Sequence, residues 1–358
     1  MPPSAEAPPS PASLPPWRIF VGRGRELHEL DAIADDVRGG RGRLVLITGE
    51  PGIGKTRLAE ASADRAVAAG AQVIWGQCWE AGGAPAYWPW SQVLRRIAAS
   101  AEAAAWRAWT AELGDALAPL AVDPAPPQSV WTEGPDRGMR QESLAIGPPS
   151  GPREFSKQER PTDAEAARFA TFDAATRLLH RAAAARPLLI VLEDLHAADL
   201  PSLLLLEFVA RELDDVPLVI VGTFRPADAE QRPAIALALG RATRAAVRMP
   251  LAGLAVADVA ALLTARGAET APAELVATVH AATAGNPLFV VETARVLPGS
   301  HAIGPGEPAQ GHLRVASGVR DAVRSRLALL SPTCRTLLEL AAVFGDQADP
   351  RGCTSRAR

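Results

Sequence analysis

Cysteine is scarce in this chain. Among 358 residues there are three, Cys78, Cys334 and Cys353, far apart and without a Cys-x-x-Cys pair. Neither a disulfide framework nor a zinc site is expected, and a reducing cytoplasm fits best. Long apolar runs are missing as well. None reaches the roughly 18 residues of a spanning helix, and the N-terminus has no basic segment followed by an apolar one. The chain is therefore expected to be cytoplasmic, neither exported nor membrane-spanning. It also lacks an excess of one charge: 37 basic and 40 acidic residues leave a net charge of -3. That gives no global nucleic-acid or membrane signature, so any DNA contact would have to be local.

What is present is 48% hydrophobic and 22% charged sequence, the make-up of a globular protein with a sizeable core. The length suits about two domains of roughly 150 residues each. The organising stretch is Leu44-Val45-Leu46-Ile47-Thr48-Gly49-Glu50-Pro51-Gly52-Ile53-Gly54-Lys55-Thr56. An apolar run that reads as a buried strand feeds G-x-x-x-x-G-K-T, and Arg57-Leu58-Ala59-Glu60 opens a helix behind it. A loop whose backbone N–H groups all turn inward binds polyphosphate without intervening side chains. Gly49, Gly52 and Gly54 permit that turn. Lys55 is placed to reach the β- and γ-phosphates, and the Thr56 hydroxyl to ligate Mg²⁺. Glu50, Pro51, Ile53 and Arg57 complete the expected nucleotide-binding run. No Asn-Lys-x-Asp guanine motif is present, which favours ATP over GTP.

Residues 1–16 are rich in Pro, Ala and Ser and read as a disordered tail. Order is expected from Phe20-Val21-Gly22-Arg23-Gly24-Arg25-Glu26-Leu27, with a helix through Leu30 and Ile33; the segment reads equally as a simple turn before an amphipathic helix. The helix after Thr56 should run through Ala69, followed by a strand at Gln72 to Gly76. Four of the eight tryptophans fall between residues 75 and 90; they either stack on a base or pack against neighbouring helices. A helix is expected from Val93 to Ala99. Between Val122 and Asp163 eight prolines and scattered charge read as a disordered insertion. Periodicity returns from Ala164 to Ala185, with Ala167, Phe169, Phe172, Ala175, Leu178 and Leu179 on one helix face.

Leu188 to Leu192 then ends in Glu193-Asp194. A strand ending in two acids suits a Mg²⁺-nucleotide site: one carboxylate holds the metal's water shell and the other orients or deprotonates the attacking water. Glu193 takes the metal-side position and Asp194 the base-side position, though a one-residue shift would exchange them, so both stand as metal candidates. His196 either senses the γ-phosphate or caps local structure. A helix follows from Ser202 to Leu213, and Leu218 to Arg225 is another buried strand, presenting Thr223 and Arg225 on the side of the acids. Arg225 there suits a bidentate contact to the terminal phosphate. Lys55, Asp194 and Arg225 are the candidate catalytic set. From Leu251 the chain turns helical: Val256 to Ala265, Ala273 to Ala282, and onward from Gly285-Asn286-Pro287. A Gly/Pro-rich loop at Pro298 to Gly311 precedes helices over Val319 to Leu330 and Pro332 to Phe344.

Together these segments resemble the signal-transducing ATPases of the STAND class, AAA-type phosphate-loop enzymes. The chain is most similar to the ATPase module of large bacterial LuxR-type transcriptional regulators and of class III adenylate cyclase relatives. The resemblance implies an α/β fold, a P-loop NTPase with a parallel sheet flanked by helices over 17–248, a helical lid over 249–297, and an incomplete winged-helix start within 298–345. It implies that Val21, Gly22 and Arg23 lie near adenine, that Arg225 is a sensor arginine, and that Pro287 is a lid proline against the nucleotide. It also implies ATP and Mg²⁺ as cofactors, slow hydrolysis as a conformational switch, and a protein partner or self-association on activation. Two departures stand out. Ala197 replaces a frequent tryptophan, and residues 346–358 are polar without periodicity, as in a truncated member, so DNA binding is not carried over. A nucleotide-binding interaction module without turnover and an origin-recognition-like AAA+ ATPase are the competing readings. The latter would need an arginine from the lid; Arg320, Arg324 and Arg326 are its candidates, against the plainer reading of an exposed helix face.

Overall fold

The computed structural model describes residues 20–79, 84–120, 161–266 and 271–296, together with 332, 334–336 and 338. The tail at 1–16, the 122–163 segment up to residue 160, the 298–311 loop, the 319–330 helix and the 346–358 end lie outside the described residues. Of the helix expected over 332–344, the described positions are helical. The chain divides into two compact units, Arg23–Leu251, and Met1–Gly22 together with Ala252–Arg358.

The first unit is built on five strands: β1 (Arg43–Thr48), β2 (Gln72–Gln77), β3 (Leu188–Glu193), β4 (Leu218–Phe224) and β5 (Ala246–Pro250). Their order is β2-β3-β4-β1-β5, and every pairing is parallel. The central strands read as uninterrupted apolar runs because both faces of a parallel sheet are covered. One face, with Leu44, Leu46, Ile190, Leu192, Leu218 and Ile220, meets α3 (Trp88–Ser100), α4 (Ala103–Leu113), α5 (Pro161–Ala185), α6 (Leu200–Arg211) and α8 (Pro233–Ala242) in one continuous core. The other carries α1 (Gly24–Arg38) and α2 (Lys55–Ala68). Trp90 is fully buried, and its indole N–H donates to the Ser202 carbonyl at 2.9 Å, tying α3 to α6. That bond resolves the burial problem of a tryptophan, whose one polar atom needs a partner.

Gly222 sits opposite Leu46 in the β1–β4 register. A Cβ there would lie 2.5 Å from Leu195 Cδ1 and 2.7 Å from Leu46 Cδ2. Glycine at this point therefore lets the turn after β3 settle directly onto the sheet.

Several boundaries differ from expectation. Helix α3 starts at Trp88 rather than Val93, because Pro89 occupies its first turn, where a missing N–H costs nothing. Helix α6 likewise starts at Leu200, with Pro201 in the first turn and Asp199 as N-cap. Helix α5 begins at Pro161, inside the span expected to be an insertion. On α5, Phe172, Ala175, Leu178 and Leu179 are buried as the periodicity requires, but Phe169 is 61% exposed. It lies edge-on to Phe208 with ring centroids 5.5 Å apart. Strand β5, α4, α8 and the short α7 (Pro226–Glu230) were not evident from the sequence.

The second unit holds α9 (Val256–Ala265), α10 (Ala273–Thr283) and α11 (Pro287–Val296). They enclose a small core of Leu254, Val259, Leu262, Leu263, Val276, Val279 and Val290, against which Val21 packs. The Gly285-Asn286-Pro287 triplet has a local logic. Gly285, at φ +69°, lies so close to Leu254 that a Cβ would come within 2.3 Å of the Leu254 carbonyl oxygen. Its own carbonyl accepts from the Leu254 N–H at 2.8 Å. The Asn286 carboxamide accepts from the Leu288 N–H at 3.1 Å, and Pro287 fills the first helical position.

Candidate functional site

Parallel α/β sheets present ligands at the carboxyl ends of their strands. Here β1 ends at Thr48, β3 at Glu193 and β4 at Phe224, and β1 and β3 both neighbour β4. The sequence segments singled out above are thereby brought to one edge, although Gly49 and Glu193 are far apart in the chain.

Between β1 and α2 the loop turns through Gly49 (φ +152°), Gly52 (φ +76°) and Gly54 (φ +102°), conformations that only glycine adopts without strain. Gly54 is the N-cap of α2, so the loop delivers the helix's first N–H groups to its own concave side. Lys55 is 7% exposed. Its ammonium donates to the Gly49 carbonyl at 3.0 Å and the Glu50 carbonyl at 2.9 Å, so the loop is closed around its own lysine. The Ile53 N–H donates to the Glu50 carbonyl at 3.3 Å, forming the turn that contains Pro51. Arg57 pairs with Glu60 along α2.

The Thr56 hydroxyl donates to Glu193 Oε1 at 2.7 Å. Burial pushes the Glu193 carboxyl above its ordinary value, the Thr56 hydrogen bond pulls it back, and neighbouring Asp194 and Glu60 raise it further. Asp194 sits in the left-handed region at φ +56°. Its N–H donates to the Thr223 hydroxyl at 3.1 Å, and Thr223 is 1% exposed. A side chain on β4 thus holds the turn that aims the second acid. Non-glycine residues at positive φ are uncommon and persist where the surroundings enforce them.

Arg225 follows β4. Its Nη1 donates to Asp228 Oδ2 at 3.2 Å, and Nη2 lies 4.0 Å from Asp194 Oδ1. His196 is 6% exposed, with Nδ1 3.9 Å from Asp194 Oδ1 and Nε2 3.7 Å from Asp228 Oδ2. Asp199, at the end of the Leu-His-Ala-Ala-Asp run, is a clamp. It accepts from the Ser202 N–H at 2.8 Å, the Ser202 hydroxyl at 2.6 Å and the Tyr87 N–H at 3.1 Å. Cys78 donates its N–H to the Glu193 carbonyl at 3.1 Å. Burial, reinforced by Asp199, Asp194 and Glu193, pushes its thiol far up, leaving it protonated and unreactive.

Arg23 belongs to this unit, and its φ is +61°. Its Nη2 donates to the Ile53 carbonyl at 3.0 Å and its Nη1 pairs with Glu26 at 3.2 Å, bracing the loop from outside. Val21, Gly22 and Pro287 fall in the other unit. There Val21 packs on the small core of that unit, and a Cβ on Gly22 would meet Asp258 at 2.8 Å. The sequence reading gives Asp228 no role and takes Tyr87 only as part of the aromatic cluster Tyr87-Trp88-Pro89-Trp90. An Arg-x-x-Asp spacing across a strand end is the available signal for Asp228; nothing local marks the Tyr87 contact to Asp199.

The donor set is one hydroxyl and one or two carboxylates at the mouth of a glycine loop. Hard oxygen donors in small number suit Mg²⁺, which keeps much of its water and takes phosphate oxygens as ligands. Among the described residues there is no cluster of three or more His, Cys, Asp or Glu for a metal, and Mg²⁺ of this kind needs none. Thr56 and Glu193 fit such an ion.

Residues 19–221, more than half of the chain, match the AAA ATPase domain family. The chain belongs to that family. A second match, over residues 257–304, is to a domain of unknown function (DUF8739). No curated protein matches the sequence. Among solved structures, this AAA ATPase domain protein is similar to the signal transduction ATPase with numerous domains and a tetratricopeptide repeat sensor from Pyrococcus horikoshii. The identity is 16%, over 97% of this chain and 38% of that one, with a TM-score of 0.45. It is also similar to the ORC2 protein of Aeropyrum pernix, at 13% identity over 77% and 62% of the two chains and a TM-score of 0.41. CDC6P from Pyrobaculum aerophilum gives 13%, 77% and 62%, with a TM-score of 0.39. This AAA ATPase domain protein therefore spans between 38% and 62% of the length of these structures. No helix among its described residues is long and apolar enough to cross a membrane.

Proposed function

We propose that this chain binds Mg²⁺-ATP, hydrolyses it slowly and serves as a conformational regulatory switch. The observation that carries the reading is the hydrogen bond between Thr56 and Glu193, which joins the last residue of the glycine loop to the acid-bearing strand. It supports Glu193 on the metal side and leaves Asp194 for the water. The backbone N–H groups of Gly49–Lys55 and the Lys55 ammonium would bind the β- and γ-phosphates. Thr56 and Glu193 would hold Mg²⁺, which neutralises charge on the phosphate oxygens when bound. Asp194 would orient a water in line with the γ-phosphorus and take its proton as the new P–O bond forms and the bond to ADP breaks. Arg225 would meet charge on the terminal phosphate.

Binding requires Lys55 to exchange two loop carbonyls for phosphate oxygens. The loop carbonyls and the ammonium would therefore rearrange together on nucleotide binding, which is the local event a switch needs. The resemblance to LuxR-type regulator modules and cyclase relatives favours signal transduction as the use of that event, with a protein partner or a second copy as receiver.

The test combines ATP and ADP binding with phosphate release in the wild type, Lys55→Ala and Asp194→Asn. Lys55→Ala should abolish binding, and Asp194→Asn should keep binding and lose turnover. A wild type that binds nucleotide but never releases phosphate would favour a nucleotide-binding interaction module instead.

A further inference from the structure

Four side chains gather at the ends of β3 and β4, one pair of them hydrogen-bonded. Arg225 Nη1 donates to Asp228 Oδ2 at 3.2 Å, and Arg225 Nη2 stands 4.0 Å from Asp194 Oδ1. The buried His196 ring lies 3.9 Å from Asp194 Oδ1 and 3.7 Å from Asp228 Oδ2. The two guanidinium ends are thus in different environments. One is tied to a carboxylate outside the acid pair, and the other faces Asp194, the acid just after β3. Asp228 comes from the first turn of α7, where Pro226 starts the helix immediately after Arg225 and returns the carboxylate over it. The Arg232 Nη1 donates to the His196 carbonyl at 3.1 Å, fixing the backbone that carries the imidazole.

We propose that Asp228 is a positioning residue: it anchors Nη1 of Arg225 so that Nη2 is held on the side of Asp194, where the terminal phosphate of a bound nucleoside triphosphate would lie. The proposal rests on reading the glycine loop as a nucleotide site. An unanchored arginine explores many rotamers, and ordering it at the moment of binding weakens its contact. It would also collapse onto Asp194, 4.0 Å away, withdrawing the guanidinium and masking the acid. Holding one nitrogen on Asp228 prevents both. Asp228 is assigned no contact with nucleotide, so its effect on the terminal phosphate runs through Arg225; His196, 3.7 Å away, is its other neighbour, and the Arg225→Ala background separates the two.

The discriminating quantity is the ratio of affinities for a non-hydrolysable ATP analogue and for ADP, measured calorimetrically with Mg²⁺ on the full chain. A donor aimed at the terminal phosphate raises that ratio, whereas a general loss of structure lowers both affinities together. Arg225→Ala should reduce the ratio by about tenfold, in the range of one charge-assisted hydrogen bond. Asp228→Ala should reduce it nearly as far, and Asp228→Ala should change it no further when Arg225→Ala is already present. Asp228→Asn, which keeps an acceptor for Nη1, should stay within about threefold of the wild type.

The proposal is overturned if Asp228→Ala leaves the ratio unchanged, if it lowers the ratio equally in the Arg225→Ala background, or if Arg225→Ala itself has no effect. In each of those cases the nucleotide site would still stand. A wild type that binds neither nucleotide would overturn the site reading and this proposal together. Should Asp228→Ala not fold, Asp228→Asn decides: a ratio as low as that of Arg225→Ala would sink the anchoring role.

Discussion

Thr56 and Glu193, 137 residues apart in the chain, share a hydrogen bond of 2.7 Å. It joins the end of the phosphate-loop motif to the strand that carries the acids, and in the proposed site both oxygens turn to the same ion. Thr56→Ser should retain Mg²⁺-dependent nucleotide affinity to within a few fold, because the hydroxyl survives. Thr56→Val, which removes it, should abolish the difference between nucleotide affinity with Mg²⁺ and with EDTA, while affinity in EDTA stays near wild type. Calorimetric titrations under the two conditions read this directly. An unchanged Mg²⁺ effect in Thr56→Val would remove Thr56 from the ion's shell.

Gly222 offers a test of the fold that is independent of any ligand. Adding a methyl group places it 2.5 Å from Leu195 Cδ1 and 2.7 Å from Leu46 Cδ2, so two buried leucine side chains must shift to admit it. Gly222→Ala should lose about 1–3 kcal/mol and lower the melting temperature by several degrees. Gly240, within α8, has nothing within 4 Å of the same added atom. Gly240→Ala should leave stability unchanged or raise it by up to about 1 kcal/mol through helix propensity. In calorimetric melts Gly222→Ala should therefore fall below the wild type, while Gly240→Ala should not.

Asp199 organises the surroundings of the acids by accepting three hydrogen bonds, two from Ser202 and one from Tyr87. The last reaches a residue held at φ +63° at the start of α3. Asp199→Ala removes an N-cap and leaves two backbone N–H groups unmatched, at a cost of about 2 kcal/mol. Asp199→Asn, which keeps a cap oxygen, should lose less than half of that in denaturant unfolding. Equal losses would show that charge rather than capping is what the position needs.

The phosphate loop and the acidic strand were legible because each lies in an uninterrupted apolar run followed by residues of restricted type. A parallel sheet buried on both faces writes that pattern strongly in β1, β3 and β4. Strand β5 has no such signature. It is an edge strand paired only with β1, and its Ala246-Val247-Arg248-Met249-Pro250 run is mostly partly exposed. Phe169 shows the limit of helical periodicity. It falls on the face shared by Phe172 and Leu179, yet the first turns of α5 run beyond the core, and the ring stays outside. Thr223 was placed on the correct edge by strand direction, but its hold on Asp194 depends on the β3–β4 register. No local pattern encodes that register. The Gly285-Asn286-Pro287 triplet stands out in the sequence through the family resemblance, whereas its capping geometry is physical and would be required with or without a nucleotide.

The acid at residue 193 also gives a pH dependence whose sign follows from its surroundings. Burial is the largest influence and lifts the Glu193 carboxyl above its ordinary 4.5, with Asp194 and Glu60 adding to it and Thr56 opposing. A group bound more tightly to its proton when folded contributes stability that is complete below its unfolded pKa and is lost as pH rises through its folded pKa. In EDTA and without nucleotide, the wild type should therefore lose stability relative to Glu193→Gln as pH rises from 4.5, and the difference should level off once the folded carboxyl has ionised. Glu193→Gln is neutral throughout and does not undergo this loss on ionisation, so it should melt above the wild type at pH 7. The comparison needs only melting curves at a series of pH values. Parallel curves for the two proteins would mean that Glu193 titrates as it does in the unfolded chain. Saturating Mg²⁺-ATP should reverse the order at pH 7, because the wild-type carboxylate then faces a cation that Glu193→Gln holds poorly.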